Sequence, residues 1–308
     1  SMKMEEVIAL VLAAGKGTRM KSKLPKVLHK AGGVPMVGQV LRAVKDAGTK
    51  REIVVVGFGA EAVTAYVGET AETVVQKEQL GTGHAVLQAE SLLQGEKGIL
   101  LVTCGDTPLV RTETFRALLD CHKKTQASAT VLTACMPDPT GYGRVIRSAD
   151  GKVSKIVEQK DGTSQELAVN EVNAGIYCFE LPELWELLHR IGNNNAQGEY
   201  YLTDIIGMLV ADGKTVSAVA AEDYRETLGV NSRLQLAQAE KILRERKLEE
   251  LMTEGVTVQD PSNTYVETTV TVGRDTVLYA GTVLEGRTVI GENCEIGPFV
   301  RLTNVAMG

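Results

Sequence analysis

Short apolar runs alternate with amphipathic stretches through residues 1–230, the pattern of an α/β sheet. The runs Val7–Leu12, Ile53–Gly57, Thr73–Gln76, Ile99–Thr103 and Ala129–Ala134 predict strands, and helices are predicted to begin near Pro35, Ala60, Gly83 and Thr112. In the first helix Met36, Val37, Val40, Leu41 and Val44 share one face, and Gly48 stops it. More short strands are predicted around Gly143–Arg147, Val153–Glu158 and Asn173–Phe179, as a wall for a second substrate. Residues 232–251 read as a long helical connector, and its charge run Glu240–Glu250 reads as a solvated face.

The tail changes period. Counting in sixes from Val266 gives Val272, Leu278, Leu284, Ile290, Ile296 and Leu302, with compact residues four later at Thr276, Thr282, Thr288, Cys294 and Val300. That register predicts a hexapeptide-repeat, left-handed parallel β-helix. Three hexapeptides make a coil, so residues 266–307 are expected to form about two coils. Solenoids want roughly three or more repeats and a cap, so the chain is expected to stop early in this domain.

Candidate chemistry sits at the end of the first strand. Residues 15–26 read Gly-Lys-Gly-Thr-Arg-Met-Lys-Ser-Lys-Leu-Pro-Lys, directly after Val7–Leu12. Gly15 and Gly17 let backbone N–H groups approach a polyphosphate, and Arg19 and Lys26 supply positive charge. The dinucleotide fingerprint is excluded because Met20 stands where its third glycine belongs, and no Gly-Lys-Ser/Thr completes a Walker A loop. Ligands gather at the carboxyl ends of strands in open α/β sheets. Gly105-Asp106, after Ile99–Thr103, falls there too.

Composition narrows the classes. At 308 residues, 44% apolar and 23% charged, the chain has room for two globular domains. A net charge of −6 argues against a nucleic-acid partner. No apolar run approaches the roughly 20 residues that span a bilayer, so no membrane role is expected. The N-terminus lacks a signal-peptide pattern, and Ser1 reads as an addition before Met2. Five cysteines without C-x-x-C spacing and four dispersed histidines indicate neither a disulfide framework nor a zinc site, and fit a reducing cytoplasm. Any metal is expected to be a hard ion on oxygen ligands.

Eight segments in order carry a resemblance: Leu12-Ala-Ala-Gly-Lys-Gly-Thr-Arg-Met20, Leu24-Pro-Lys-Val-Leu-His29, Gln79-Leu-Gly-Thr-Gly-His84, Gly105-Asp106, Asp138-Pro-Thr-Gly-Tyr-Gly-Arg144, Ile156-Val-Glu158, Asn193-Asn-Asn-Ala-Gln-Gly-Glu-Tyr-Tyr-Leu-Thr-Asp204 and Gly229-Val-Asn231. Together they resemble the bifunctional bacterial N-acetylglucosamine-1-phosphate uridylyltransferase/glucosamine-1-phosphate N-acetyltransferase family. The resemblance covers essentially the whole chain. It implies a Rossmann-like mixed-sheet nucleotidyltransferase domain at residues 1–231, a helical linker at 232–253 and the first coils of a left-handed β-helix at 254–308. It implies transfer of UMP from UTP to N-acetylglucosamine 1-phosphate, giving UDP-N-acetylglucosamine for cell-wall precursors and pyrophosphate. The family's β-helix forms a homotrimer and acetylates glucosamine 1-phosphate. Those acetyltransferase residues are expected beyond Gly308, so these residues are expected to lack that activity.

By the same resemblance Asp106 and Asn231 hold Mg²⁺, while Arg19 and Lys26 bind phosphates and stabilise the leaving pyrophosphate. Gln76, Gly81 and Thr82 read the base, with Leu12, Ala13, Ala14 and Gly15 lining the pocket and Gly105 beside it. Lys26 and Asn231 are expected to touch substrate as well. Gly143, Glu158 and Asn173 face the sugar, with Tyr201 and Thr203 near its N-acetyl group. Cys104 stands where many members carry Tyr. Read from residue type alone, Asp106 also suits a turn, Asn231 a helix N-cap, Gln76 a surface strand end, and Tyr201 and Thr203 a first helical turn packed on the sheet. His84 reads as structural rather than as a base. Two rival functions stay open: another sugar-1-phosphate nucleotidyltransferase making an ADP-, dTDP- or GDP-sugar, and a non-catalytic sugar-nucleotide-binding subunit. Retention of Arg19, Lys26, Asp106 and Asn231 argues against the second.

Overall fold

Alternate residues of the Val7–Ala13 strand enter cores on opposite sides of one sheet: Ile8 and Leu10 on one side, Val7, Ala9, Val11 and Ala13 on the other. Burial on both faces is why its sequence is a continuous apolar run rather than an alternation. The computed structural model describes residues 6–194 and 197–308. Ser1 and Met2, and the Asn195-Ala196 step within the Asn193–Asp204 segment, lie outside the described residues.

The strands order as Val216–Ala220, Ala129–Cys135, Glu171–Leu181, Gly98–Cys104, Val7–Ala13, Arg51–Val56 and Glu72–Val75. Arg144–Arg147 and Val153–Val157 extend it, giving nine strands. Pairing along the main path is parallel except at Glu171–Leu181, which runs antiparallel to both neighbours. The sheet is therefore mixed, as expected. The Val216–Ala220 strand has no counterpart among the predicted ones. Its sequence VSAVA holds too few large apolar residues to signal a strand, and it forms by pairing at the sheet edge.

The connector helix covers Arg233–Thr253. Its N-cap is Ser232, whose hydroxyl accepts from the Gln235 N–H at 3.2 Å. Asn231 is therefore not the cap, and its side chain is left for other work. Ser232→Ala is expected to lower stability by about 1 kcal/mol, read as a shifted denaturant midpoint with unchanged slope. The charge run Glu240–Glu250 is solvated only in part: Lys241, Glu245, Glu249 and Glu250 are exposed, while others are engaged. Glu240 accepts from the Gly32 N–H (2.6 Å), Arg246 donates to the Leu109 carbonyl (2.8 Å), and Lys247 is only 8% exposed. Ala239 and Leu243 pack with Met36 and Leu109, while Leu248 and Leu251 join the β-helix core. The face turned to the two cores is covered, and there the long charged side chains bury their stems.

Three faces of three parallel strands make the β-helix. Rungs pair three hexapeptides apart, Val266 with Leu284, Val272 with Ile290 and Leu278 with Ile296. Its core contains Leu278, Leu284, Ile290 and Ile296, as the register predicts. One further strand, Thr257–Val258, precedes the residues counted as about two coils. Thr257–Val258 pairs with Val277–Leu278, two residues out of step, so periodicity misses it. Thr276 and Thr282 are fully buried, and their hydroxyls donate to backbone carbonyls of Gly291 and Ile296. That satisfies polar groups at the corners, which explains compact hydroxyl residues there. Among the described residues no helix is long and apolar enough to cross a membrane.

Candidate active site

The Val7–Ala13 and Gly98–Cys104 strands run side by side and end together, with Leu12 opposite Cys104. The Gly105 N–H donates to the Leu12 carbonyl (2.8 Å), and the Val230 N–H donates to the Asp106 carbonyl (2.8 Å). Three sequence-remote loops are thereby stitched at one strand end. Across them Lys26 Nζ lies 2.7 Å from Asp106 Oδ2 and 2.9 Å from Asn231 Oδ1. The Lys26 side chain is 12% exposed and that of Asp106 24%, so the pair is shielded yet reachable.

The loop's glycines divide their tasks. Nothing crowds a Cβ built on Gly15, as close backbone approach to a phosphate requires. Gly17 differs: φ is +64°, and a Cβ there would stand 2.6 Å from Lys26 Cβ. Its missing side chain makes room for the lysine stem. Gly17→Ala is expected to displace Lys26 and lower turnover roughly 10²-fold, the scale of a 1 Å misplacement; an unchanged rate would contradict this packing.

An ammonium bridging a carboxylate and an amide oxygen shows that both oxygens aim at one cation position. Such oxygen donors fit a hard divalent ion. Among the described residues no group of three or more His, Cys, Asp or Glu could hold a metal. An ion held by Asp106 and Asn231 would thus take its other ligands from water and phosphate, as Mg²⁺ does.

A cleft of about 310 Å³ beside this cluster is lined by Ala14, Gln76, Gly81, Thr82 and Asp106, with Leu12 behind them. Gln76 is not a surface strand end. It is 4% exposed, and its amide donates to the Gly81 carbonyl (3.3 Å) and meets His84 Nδ1 (3.0 Å). His84 has Gln76 at one ring nitrogen and Gln88 at the other (3.3 Å), which suits a positioning role rather than a base. Gly81 has φ +103°, and a Cβ there would lie 2.6 Å from the Tyr200 carbonyl. Gln79 went unassigned from sequence; its amide donates to the Ala14 carbonyl (2.9 Å) and holds the loop's first turn. Its place in the Gln79–His84 segment was the available signal.

A larger cleft of about 850 Å³ shares Leu12, Thr82, Cys104 and Tyr201 with the first. Glu158 and Thr203 line it, and so do Lys155, Tyr177 and Asp204, to which the sequence assigns no role. Thr203 opens the Thr203–Ala211 helix, and the Tyr201 hydroxyl donates to Gln197 (2.9 Å). Asn173 stands behind the wall. Its amide donates to the Tyr177 hydroxyl (2.8 Å) and accepts from the Gly175 N–H (2.8 Å), at a bulge between Asn173 and Ile176. Gly175, within the bulge, lines the cleft, as does Tyr177, which is otherwise part of the core. Gly143 also contributes by being small, since a Cβ there would come within 3.2 Å of Glu158 Oε1. Burial, reinforced by Asp106, pushes the Cys104 thiol up to about 12, so it stays neutral between the clefts. Arg19 lies exposed on the Thr18–Met20 turn, outside both clefts and without an ion pair among the described residues.

Residues 8–241 match the family described as Nucleotidyl transferase, and residues 258–304 match Bacterial transferase hexapeptide (six repeats). A Bifunctional protein GlmU of Geobacillus sp. (strain WCH70) is 55% identical over 290 residues, 94% of this chain and 63% of that protein. Its namesake in Geobacillus thermodenitrificans (strain NG80-2) is 53% identical over 300 residues, 97% of this chain and 65% of its own. In Halalkalibacterium halodurans (strain C-125) the figures are 50% over 305 residues, 99% and 67%. The chain spans about two thirds of the length of the curated relatives it matches. With the first match running from the leading strand into the connector helix, and such identity across nearly all its residues, this chain belongs to the nucleotidyl transferase family, alongside the bifunctional GlmU proteins.

Proposed function

We propose that this chain transfers UMP from UTP to N-acetylglucosamine 1-phosphate, forming UDP-N-acetylglucosamine and pyrophosphate. One observation carries the reading: Lys26, Asp106 and Asn231 meet beside two connected clefts. A phosphate oxygen of the sugar attacks the α-phosphorus of UTP, forming a new P–O bond. The bond from that phosphorus to the bridging oxygen breaks, and its electron pair leaves with pyrophosphate. The attacking oxygen is already ionised, so no general base is needed. What the site must overcome is repulsion between two anions.

Lys26 and Arg19 neutralise phosphate charge on the nucleotide and the leaving group. Asp106 and Asn231 would hold Mg²⁺, which when bound supplies further neutralisation of those phosphates. Gln76 offers its amide oxygen, and the Gly81–Thr82 turn its backbone N–H groups, to the uracil edge in the smaller cleft. Leu12 and Ala14 line it, and the resemblance adds the neighbouring backbone of Ala13, Gly15 and Gly105. Glu158, Tyr201 and Thr203 orient the sugar in the larger cleft, with Gly143 and Asn173 shaping its rear. We place the reaction in the cytoplasm, a reading supported by five unpaired cysteines. The resemblance extends the proposal to the full-length protein, a homotrimer through its β-helix that also acetylates glucosamine 1-phosphate.

Pyrophosphate release tests the assignment. It is expected only when UTP, N-acetylglucosamine 1-phosphate and Mg²⁺ are all present. A preference for ATP or dTTP over UTP would instead support a different sugar-nucleotide synthesis. Failure of the folded protein to bind UTP with divalent ion would defeat both.

A further inference from the structure

Away from both clefts, a hollow of about 420 Å³ opens where the connector helix crosses the sheet domain. The Met36–Asp46 helix contributes Arg42, the segment following Asp106 contributes Arg111, and the connector contributes Arg246 and Lys247. None of these four cations forms an ion pair among the described residues. Arg246 Nη2 is buried without a hydrogen-bond partner, while Nη1 is committed to the Leu109 carbonyl at 2.8 Å. Lys247 is 8% exposed, and its ammonium reaches only the Thr268 carbonyl, at 3.4 Å. Buried cationic donors left in this way are costly. Burial and the neighbouring Arg111 lower Arg246 to about 10, and burial lowers Lys247 as well. Asp46, Glu113 and Glu250 also line the hollow, as exposed as Arg42 and Arg111; Glu250 acts on Lys247 and the buried Glu226 on Arg246, but among the described residues none forms an ion pair with the four cations.

We infer that this hollow binds a small phosphate-bearing anion, held by Arg42, Arg111, Arg246 and Lys247. Arg246 lines the hollow beside Arg42 and Arg111, and the guanidinium fork suits a phosphate's oxygens. The volume lies within the range of small-molecule sites. The hollow shares no residue with either cleft, so the site is separate from the one proposed for nucleotidyl transfer. Its wall includes Pro108 and Val110, two and four residues past Asp106. An anion there would clamp the connector helix against the segment that carries Asp106.

Titration calorimetry at low ionic strength, without divalent ions, tests this with inorganic phosphate and with ATP as probes. Arg42 and Arg111 are exposed, so the Arg42→Gln/Arg111→Gln double variant should keep the fold, checked by its melting temperature. Expected is one phosphate site in the parent chain and in Lys26→Ala alike, weakened roughly tenfold or more in the double variant and in Arg246→Met, the scale of one charge-assisted hydrogen bond. Tighter ATP than phosphate at that site would assign a nucleotide's phosphates; equal affinity would assign free phosphate. The inference is overturned if phosphate binds nowhere up to the millimolar range, if binding survives the double variant, or if it vanishes in Lys26→Ala. That last outcome would place the anion in the catalytic clefts, and loss of pyrophosphate release alone leaves this site unaffected.

Discussion

Replacing Lys26 with Ala lowers turnover roughly 10²–10³-fold, the loss expected for one preorganised charge partner. The ammonium is the cation that the structure holds at the strand ends, 2.7 Å from Asp106 and 2.9 Å from Asn231. Its stem lies against Gly17, so truncation leaves the loop room rather than strain. The effect should therefore fall on kcat more than on folding. A second readout separates this role from a merely structural one. With the ammonium gone, Asp106 and Asn231 lose the cation between them, and Mg²⁺ should bind the nucleotide-free protein more tightly. Near-normal turnover in Lys26→Ala, or weaker ion binding without nucleotide, would contradict the assignment.

An Asp106→Asn variant should need roughly 10²-fold more Mg²⁺ for half-maximal rate, the upper end of what losing even an outer-shell metal partner costs. The replacement keeps shape and removes one charge. The Asp106 backbone should stay in place, because its carbonyl accepts from Val230 and the adjacent Gly105 N–H donates to Leu12. A metal titration of initial rate reads the outcome directly. If the curve for Asp106→Asn overlays that of the parent, Asp106 is a turn residue and the ion is held elsewhere.

Both variants probe residues legible in the sequence, because each sits beside a local signal. The glycine-rich loop follows an apolar strand, and Gly105-Asp106 follows another. Other parts were hidden. Gln76 carried no mark of burial, since nothing local says that His84 and Gly81 fold over it. Asn231 looked like a cap because the neighbouring Ser232 is an equally good one, and only helix geometry chose between them. Asn173 was assigned to the sugar by resemblance, yet its hydrogen bonds go to Tyr177 and Gly175, which form the wall in its place. Tyr177 lies within an apolar strand and is core, yet it also lines the cleft, which only the packing reveals.

The charge run of the connector was misjudged for a related reason. A row of Glu, Arg and Lys is soluble on any exposed helix, and only its position between two cores buries Lys247 and half-buries Arg246.

What the chain's letters determined were features with short repeat: strands that alternate with helices, the six-residue register of the tail, and the glycine-rich loop. Such periods arise from backbone geometry, which acts over a few residues. What only the tertiary structure decided were meetings across long separations. Lys26 reaches Asp106 across 80 residues and Asn231 across 205. Those contacts exist because strand order and loop closure bring distant segments to one end of the sheet, and no local pattern encodes that.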